Sequence, residues 1–250
     1  MRETINILGV HIDRLTQAQA LEKLTSFLET EQTDLVFTPN SEIIQMAYKD
    51  AAFAERLNTA SLNTADGIGV VYASKILGKP LTERVAGFDL MCAFMGVCAE
   101  KGARVFLFGS KEGVAKEAAE ELCRRHPDLN ICGMRNGYFT TEDTDSIIEE
   151  MNAANPDVIL VCLGAPKQEN WIYDTAPKLH AKIMMGCGGS LDVLAGRVER
   201  APEKWQKMGL EWAYRLKKEP KRFWRMTALP KFGLTVLFKG KKFKQNESEK

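Results

Sequence analysis

The chain has 250 residues, 45% hydrophobic and 27% charged, with a formal net charge of +1. That composition excludes a disordered chain and suffices for one large domain, or a domain with an appendage. The six cysteines (Cys92, Cys98, Cys123, Cys132, Cys162 and Cys187) form no C-x-x-C pair, which fits reduced thiols in a cytoplasmic protein better than a disulfide framework. Met1–Glu3 runs straight into an apolar strand with no cleavable leader, and no apolar run reaches the length of a membrane span.

The near-neutral total conceals a segregation of charge. Residues 200–244 carry 14 Lys/Arg against 3 Glu, whereas residues 1–199 carry 19 Lys/Arg against 28 Asp/Glu. An acidic body with a basic tail points to an anionic partner for the tail.

In chain order, strand-like runs fall at Ile5–Val10, Asp34–Thr38, Ser61–Thr64, Arg104–Phe108, Val158–Leu163 and Lys182–Met185. Between them, Thr16 is placed to cap a helix with Ala20, Leu21, Leu24, Phe27 and Leu28 on one face. Ser41 opens a second helix, and Phe88–Cys98, Val114–Cys123 and a run from Ser146 supply others. Strands that alternate with helices and are nearly continuous in apolar residues predict a mostly parallel, Rossmann-like α/β sheet covered on both faces, over residues 1–197. Residues 198–250 read as a basic, aromatic-rich helical appendage. Pro202 opens a helix, Pro220 and Pro230 break the run, and three of the four Trp lie here. Aromatic rings beside Lys and Arg suit a membrane surface. A basic cap on the α/β domain is the plainer alternative. Nucleic acid is not supported, because no helix-turn-helix, zinc knuckle or RNA-binding signature is present.

Polar residues gather where strands end. Asp66, in Leu62–Gly69, stands on a strand-to-helix turn, either capping the helix or facing the ligand crevice at the carboxyl edge of the sheet. Thr38 and Asn40 follow another strand and either tie the loop or face the same crevice, with Ser41 in the capping position. Arg84 precedes a helix, placed for a phosphate or for a surface acid. Gly164-Ala165-Pro166 leads into Lys167, Gln168, Glu169 and Asn170, with Pro166 at the first helical position. Gly186, Gly188 and Gly189, followed by Asp192, make a plausible diphosphate cradle, although the pattern is neither a Walker loop nor G-x-G-x-x-G. The single D-x-D, Asp143-Thr144-Asp145, reads as an acidic first helical turn, so no metal site is assigned. Without a dinucleotide fingerprint, a nucleotide-dependent oxidoreductase has no support, and a non-catalytic scaffold at the membrane is the other alternative.

The runs Phe37–Asn40, Thr64–Gly67, Glu83–Gly87, Gly164–Glu169, Gly186–Gly189 and Gly196–Pro202, with the Trp-rich basic segment after them, are together similar to the WecG/TagA/CpsF glycosyltransferase family. The chain most resembles its teichoic-acid branch of N-acetylmannosaminyltransferases. The resemblance implies transfer of N-acetylmannosamine from its UDP derivative to undecaprenyl-diphosphate-linked N-acetylglucosamine. It also implies a β-1,4 linkage, inversion, and no metal or other cofactor. Relatives use N-acetylmannosaminuronic acid or glucose instead, and the sequence does not fix the donor. The family's base falls on Asp66, and its pocket residues on Thr38, Asn40, Arg84 and Gln168. Functional arginines of a C-terminal appendage fall on Arg215, Arg222 and Arg225; that appendage engages the inner face of the bacterial plasma membrane and closes the site. A homo-oligomer is left open.

Overall fold

The computed structural model describes residues 2–218 and 227–245. The chain begins with an antiparallel hairpin, β1 (Thr4–Ile7) and β2 (Val10–Asp13), paired through Ile5 and Ile12. The single strand expected over Ile5–Val10 is therefore two. The chain reverses at Leu8 and Gly9, both at positive φ (54° and 97°), and Asn6 Oδ1 accepts the Gly9 N–H at 2.8 Å. This hairpin stands outside the main sheet.

The main sheet is six-stranded and wholly parallel. Its strands are β3 (Asp34–Phe37), β4 (Leu62–Asn63), β5 (Arg104–Gly109), β6 (Asn130–Arg135), β7 (Val158–Cys162) and β8 (Ile183–Gly186), in spatial order β4-β3-β8-β7-β5-β6. β6 is the strand that the sequence reading missed. It is an edge strand of exposed and partly buried residues with Gly133 in the middle, so neither alternation nor a continuous apolar run marks it.

Side chains alternate along the inner strands and divide the core in two. Phe106, Phe108, Ile159, Val161, Met184 and Phe37 point to one face. They meet α2 (Ser41–Lys49), α3 (Ala51–Asn58), α7 (Thr144–Ala154) and α8 (Lys167–Thr175), together with the hairpin and α4 (Ile68–Ile76). Val105, Leu107, Val158, Leu160, Ile183 and Val36 point to the other face. There they meet α1 (Gln17–Ser26), α5 (Gly87–Lys101), α6 (Val114–Arg125) and α9 (Ser190–Leu194). Helices on both faces of a parallel sheet are the consequence of strands buried on both sides.

Caps fix several helix starts. Thr16 caps α1 in a reciprocal capping box with Gln19. The cap of α2 is Asn40 and not Ser41, because Asn40 Oδ1 accepts the Glu42 and Ile43 N–H groups at 2.9 and 3.1 Å. Pro166 is the cap residue of α8, one position before the helix proper. Asp143 accepts from the Thr140 backbone and hydroxyl, which holds its carboxyl below the usual range, while Asp145 pairs with Lys178 at 3.0 Å. The D-x-D is thus split between a cap and a surface pair.

After the sheet come α10 (Glu203–Lys207), α11 (Glu211–Lys218) and α12 (Ala228–Gln245). Pro230 does not break α12; it sits in the first turn, where no N–H is required of it. Phe232 and Val236 of α12 are buried in the core that α2 and α4 share, and Phe243 meets the Tyr48 ring edge-on at 6.2 Å. The outward side of α12 leaves Leu234, Leu237 and Phe238 exposed beside Lys231, Lys239, Lys241 and Lys242. Among the described residues no helix is long and apolar enough to cross a membrane.

Candidate functional site

Because every strand of the main sheet runs the same way, the loops that follow them share one edge. The loop after β4 is knitted to its neighbours by backbone bonds. Thr64 N–H donates to Phe37 at 3.0 Å, Asp66 N–H to Pro39 at 3.2 Å, and Val85 N–H to Ala65 at 3.1 Å. Those bonds bring Asp66, Asn40 and Arg84 together from three separate parts of the chain. Gly67, at φ 92°, takes the cap position of α4, and among the described residues no side chain caps that helix, so Asp66 is not its cap. Its carboxylate faces the crevice, with Oδ1 at 3.8 Å from Arg84 Nη2. Gly69 allows α4 to lie against α2, since a Cβ there would stand 2.2 Å from Ser41 Oγ.

These residues wall a cavity of about 200 Å³. The core contributes Asn40, Ser41, Glu42, Asp66–Gly69, Arg84, Ala86 and Phe88. The segment after the sheet contributes Arg200, Gly209, Glu211, Trp212, Ala228 and Leu229. Arg84 is paired with Glu211, and its side chain is only 20% exposed. Arg200 makes two 2.7 Å bonds to Asp89 and lies over the Phe88 ring at 4.7 Å. The tail is fastened beside the cavity by Tyr214, whose hydroxyl donates to Glu199 at 2.7 Å, and by Lys218, which pairs with Glu199 at 2.8 Å.

Thr38 and Gln168 belong to a packed knot behind the cavity. The Thr38 hydroxyl donates to the Gly186 carbonyl at 3.5 Å, and Gly87 at the start of α5 presses against it. Gln168 is 3% exposed. Its carbonyl oxygen accepts the Gly188 N–H at 2.9 Å, and its amide donates to Glu169 Oε1 at 2.8 Å. Gly186 is bare of side chain where Gln168 crosses it, since a Cβ would meet Nε2 at 2.9 Å. Burial pushes the Glu169 carboxyl above its usual range against the opposing bond from Gln168.

The glycine loop is therefore partly committed. Gly188 N–H is taken by Gln168, and α9 behind the loop is a helix of five residues. Asp192 accepts from Ser110 Oγ at 2.8 Å and ties this loop to the end of β5. Gly186, Gly188, Gly189 and Asp192 lie at the same sheet edge as Asp66 but do not line its cavity. Arg215 lies in α11; Arg222 and Arg225 fall outside the described residues.

Sequence reasoning missed Glu42, Phe88, Arg200, Glu211 and Trp212. Glu211 carried a signal: it is one of three acids among 14 basic residues between 200 and 244. Arg200 stood only within the Gly196–Pro202 run and Phe88 carried no signal, because their contact is made across more than a hundred residues of chain.

A profile described as the Glycosyl transferase WecG/TagA/CpsF family matches residues 5–246. The chain is 35% identical over 243 residues to a Staphylococcus aureus (strain MRSA252) protein named N-acetylglucosaminyldiphosphoundecaprenol N-acetyl-beta-D-mannosaminyltransferase, covering 96% of this chain and 95% of that one. A protein of the same name from strain MW2 is similar to the same extent. The cavity at the carboxyl edge of the sheet is thus set in a chain that belongs to the WecG/TagA/CpsF family of glycosyltransferases.

Proposed function

We propose that the protein transfers N-acetylmannosamine from its UDP derivative to N-acetylglucosamine carried on undecaprenyl diphosphate. The transfer inverts the anomeric centre and builds a β-1,4-linked disaccharide lipid for teichoic acid or a related cell-surface polymer. The names of the relatives support the acceptor and the sugar transferred.

The observation that carries the reading is the placement of Asp66 beside Arg84 on one cavity wall. Asp66 takes the proton of the acceptor hydroxyl as its oxygen attacks the anomeric carbon. The bond from that carbon to the UDP oxygen breaks on the opposite side, and the electron pair leaves with the diphosphate. Arg84, with Arg215, Arg222 and Arg225 from the tail, neutralises that charge without a metal ion. Asn40 shapes the wall that holds the sugar. Thr38 and Gln168 hold the loop of Gly186, Gly188 and Gly189, which with Asp192 faces the nucleotide. Residues 198–250 close over the site and rest on the inner face of the plasma membrane. In that placement the lysines and exposed apolar side chains of α12 meet anionic lipid.

A panel of UDP-sugars offered with a soluble diphosphate-linked N-acetylglucosamine analogue tests this reading. UDP release with the N-acetylmannosamine donor, and a product of inverted configuration unaffected by a chelator, is the expected result. Preference for the uronic acid or glucose donor would correct the donor alone. No release from any donor, with vesicle binding intact, would leave a scaffold.

A further inference from the structure

Glu211, the first residue of α11, stands between two arginines of the cavity. One carboxylate oxygen, Oε2, pairs with Arg84 Nη2, and the other, Oε1, lies 3.7 Å from Arg200 Nε. The two arginines are held very differently. Arg200 is clamped by its two bonds to Asp89 and by the Phe88 ring. Among the described residues Arg84 has no comparable second anchor: Asp66 Oδ1 is 3.8 Å away, beyond hydrogen-bond distance, and the buried Arg84 Nε has no hydrogen-bond partner. The side chain of Glu211 is 14% exposed, so its charge is not dissipated in water as a surface carboxylate would be.

We propose that Glu211 is an internal competitor for Arg84, occupying the seat that a substrate diphosphate takes and moving onto Arg200 when the substrate enters. The proposal rests on Arg84 being a diphosphate-binding residue, as argued above. A guanidinium fork receives a carboxylate and a phosphate in the same geometry. A diphosphate arriving beside Asp66 while Glu211 still held Arg84 would place three anions around one cation, which like-charge repulsion opposes. The escape is short, because the second oxygen of Glu211 already faces the fixed Arg200. A side-chain rotation therefore frees Arg84 while α11 stays docked. After transfer, the returning carboxylate competes with the diphosphate of the released nucleotide and hastens its departure. Glu211 thus weakens binding and speeds turnover.

The test is calorimetric binding of inorganic pyrophosphate and of UDP to the full-length chain, to Glu211→Gln, to Arg84→Gln and to the double variant, with melting temperatures as a control. Glu211→Gln keeps the size of the side chain and removes its charge. Binding of both probes is expected to tighten roughly tenfold in Glu211→Gln, with the gain absent from the double variant. In steady-state assays KM for the donor and kcat fall together, because release becomes slower. Unchanged or weaker binding in Glu211→Gln, with Arg84→Gln still impaired, overturns the competitor and leaves the role of Arg84 standing. Undiminished binding in Arg84→Gln overturns the reading of Arg84, and the competitor with it.

Discussion

The side-chain carbonyl of Gln168 accepts the backbone N–H of Gly188 at 2.9 Å, joining the first turn of α8 to the glycine loop after β8. The same amide donates to Glu169, so one buried residue fixes both a loop and a carboxylate. Gln168→Ala is expected to cost about 2 kcal/mol of stability, since it strands an N–H and a carboxylate oxygen. A loop shifted by less than an ångström lowers kcat/KM by roughly 10–100-fold. Urea unfolding and steady-state kinetics measure the two effects separately.

Glu169 gives the fold a pH dependence of definite sign. Its carboxyl is raised above the ordinary value of 4.5, first by burial, against the lowering bond from Gln168. The folded chain thus keeps a proton that the unfolded chain has released. The stability linked to this group is complete below pH 4.5 and is lost as pH rises through the folded value. Glu169→Gln retains an oxygen for Gln168 and cannot ionise. It should raise the urea midpoint at pH 8 and leave it unchanged at pH 4. An equal gain at both pH values would refute the assignment.

Asp66→Asn is expected to lower kcat by roughly a hundred- to ten-thousand-fold with little change in melting temperature. Asp66 is not the cap of α4, so that helix start does not depend on its charge. Turnover near that of the unaltered chain would remove Asp66 as the base.

Asp13 binds the hairpin to the sheet. Its carboxylate receives Arg2 Nε at 2.7 Å, Lys23 Nζ at 3.2 Å and the Asn63 N–H at 2.8 Å, with only 2% of the side chain exposed. Asp13→Ala leaves the buried Asn63 N–H without its acceptor and Arg2 and Lys23 without their shared carboxylate, and an expected loss of about 2–3 kcal/mol follows. Because Asn63 is the last residue of β4, three before Asp66, activity should fall even where folded protein survives.

The outer face of α12 can be altered without touching the core. Leu237 and Phe238 are 53% and 76% exposed. Replacing both with Asp should abolish sedimentation with anionic vesicles and leave the thermal midpoint within about a degree. Undiminished binding would transfer the membrane role elsewhere in the chain.

Much of this architecture is written locally. Thr16 announces its helix through Gln19 three residues on, and the inner strands show themselves as short apolar runs between turn residues. What was not legible depends on partners distant in sequence or on backbone detail. Ser41 and Asn40 are both good capping residues, and the choice between them is made by the extended backbone of Asn40, at φ −104° and ψ −179°. β6 is weakly patterned because an edge strand is only partly buried. In the site, Asp66, Asn40 and Arg84 each stand beside a strand or helix end and could be marked in advance. The pairing of Arg84 with Glu211, 127 residues later, could not.

α12 contributes Leu229 to the wall of the cavity and Leu234 to the outer surface. Five residues of helix advance only roughly 7.5 Å. The cavity and the apolar exterior are thus joined by little more than one turn of the same helix. A sugar seated in the chamber with a long hydrocarbon tether meets apolar protein almost as soon as the tether leaves the cavity. If the proposed acceptor occupies the cavity, its head is held while its tail stays at the level of Leu234, and that short stretch of helix sets how far the carrier must rise.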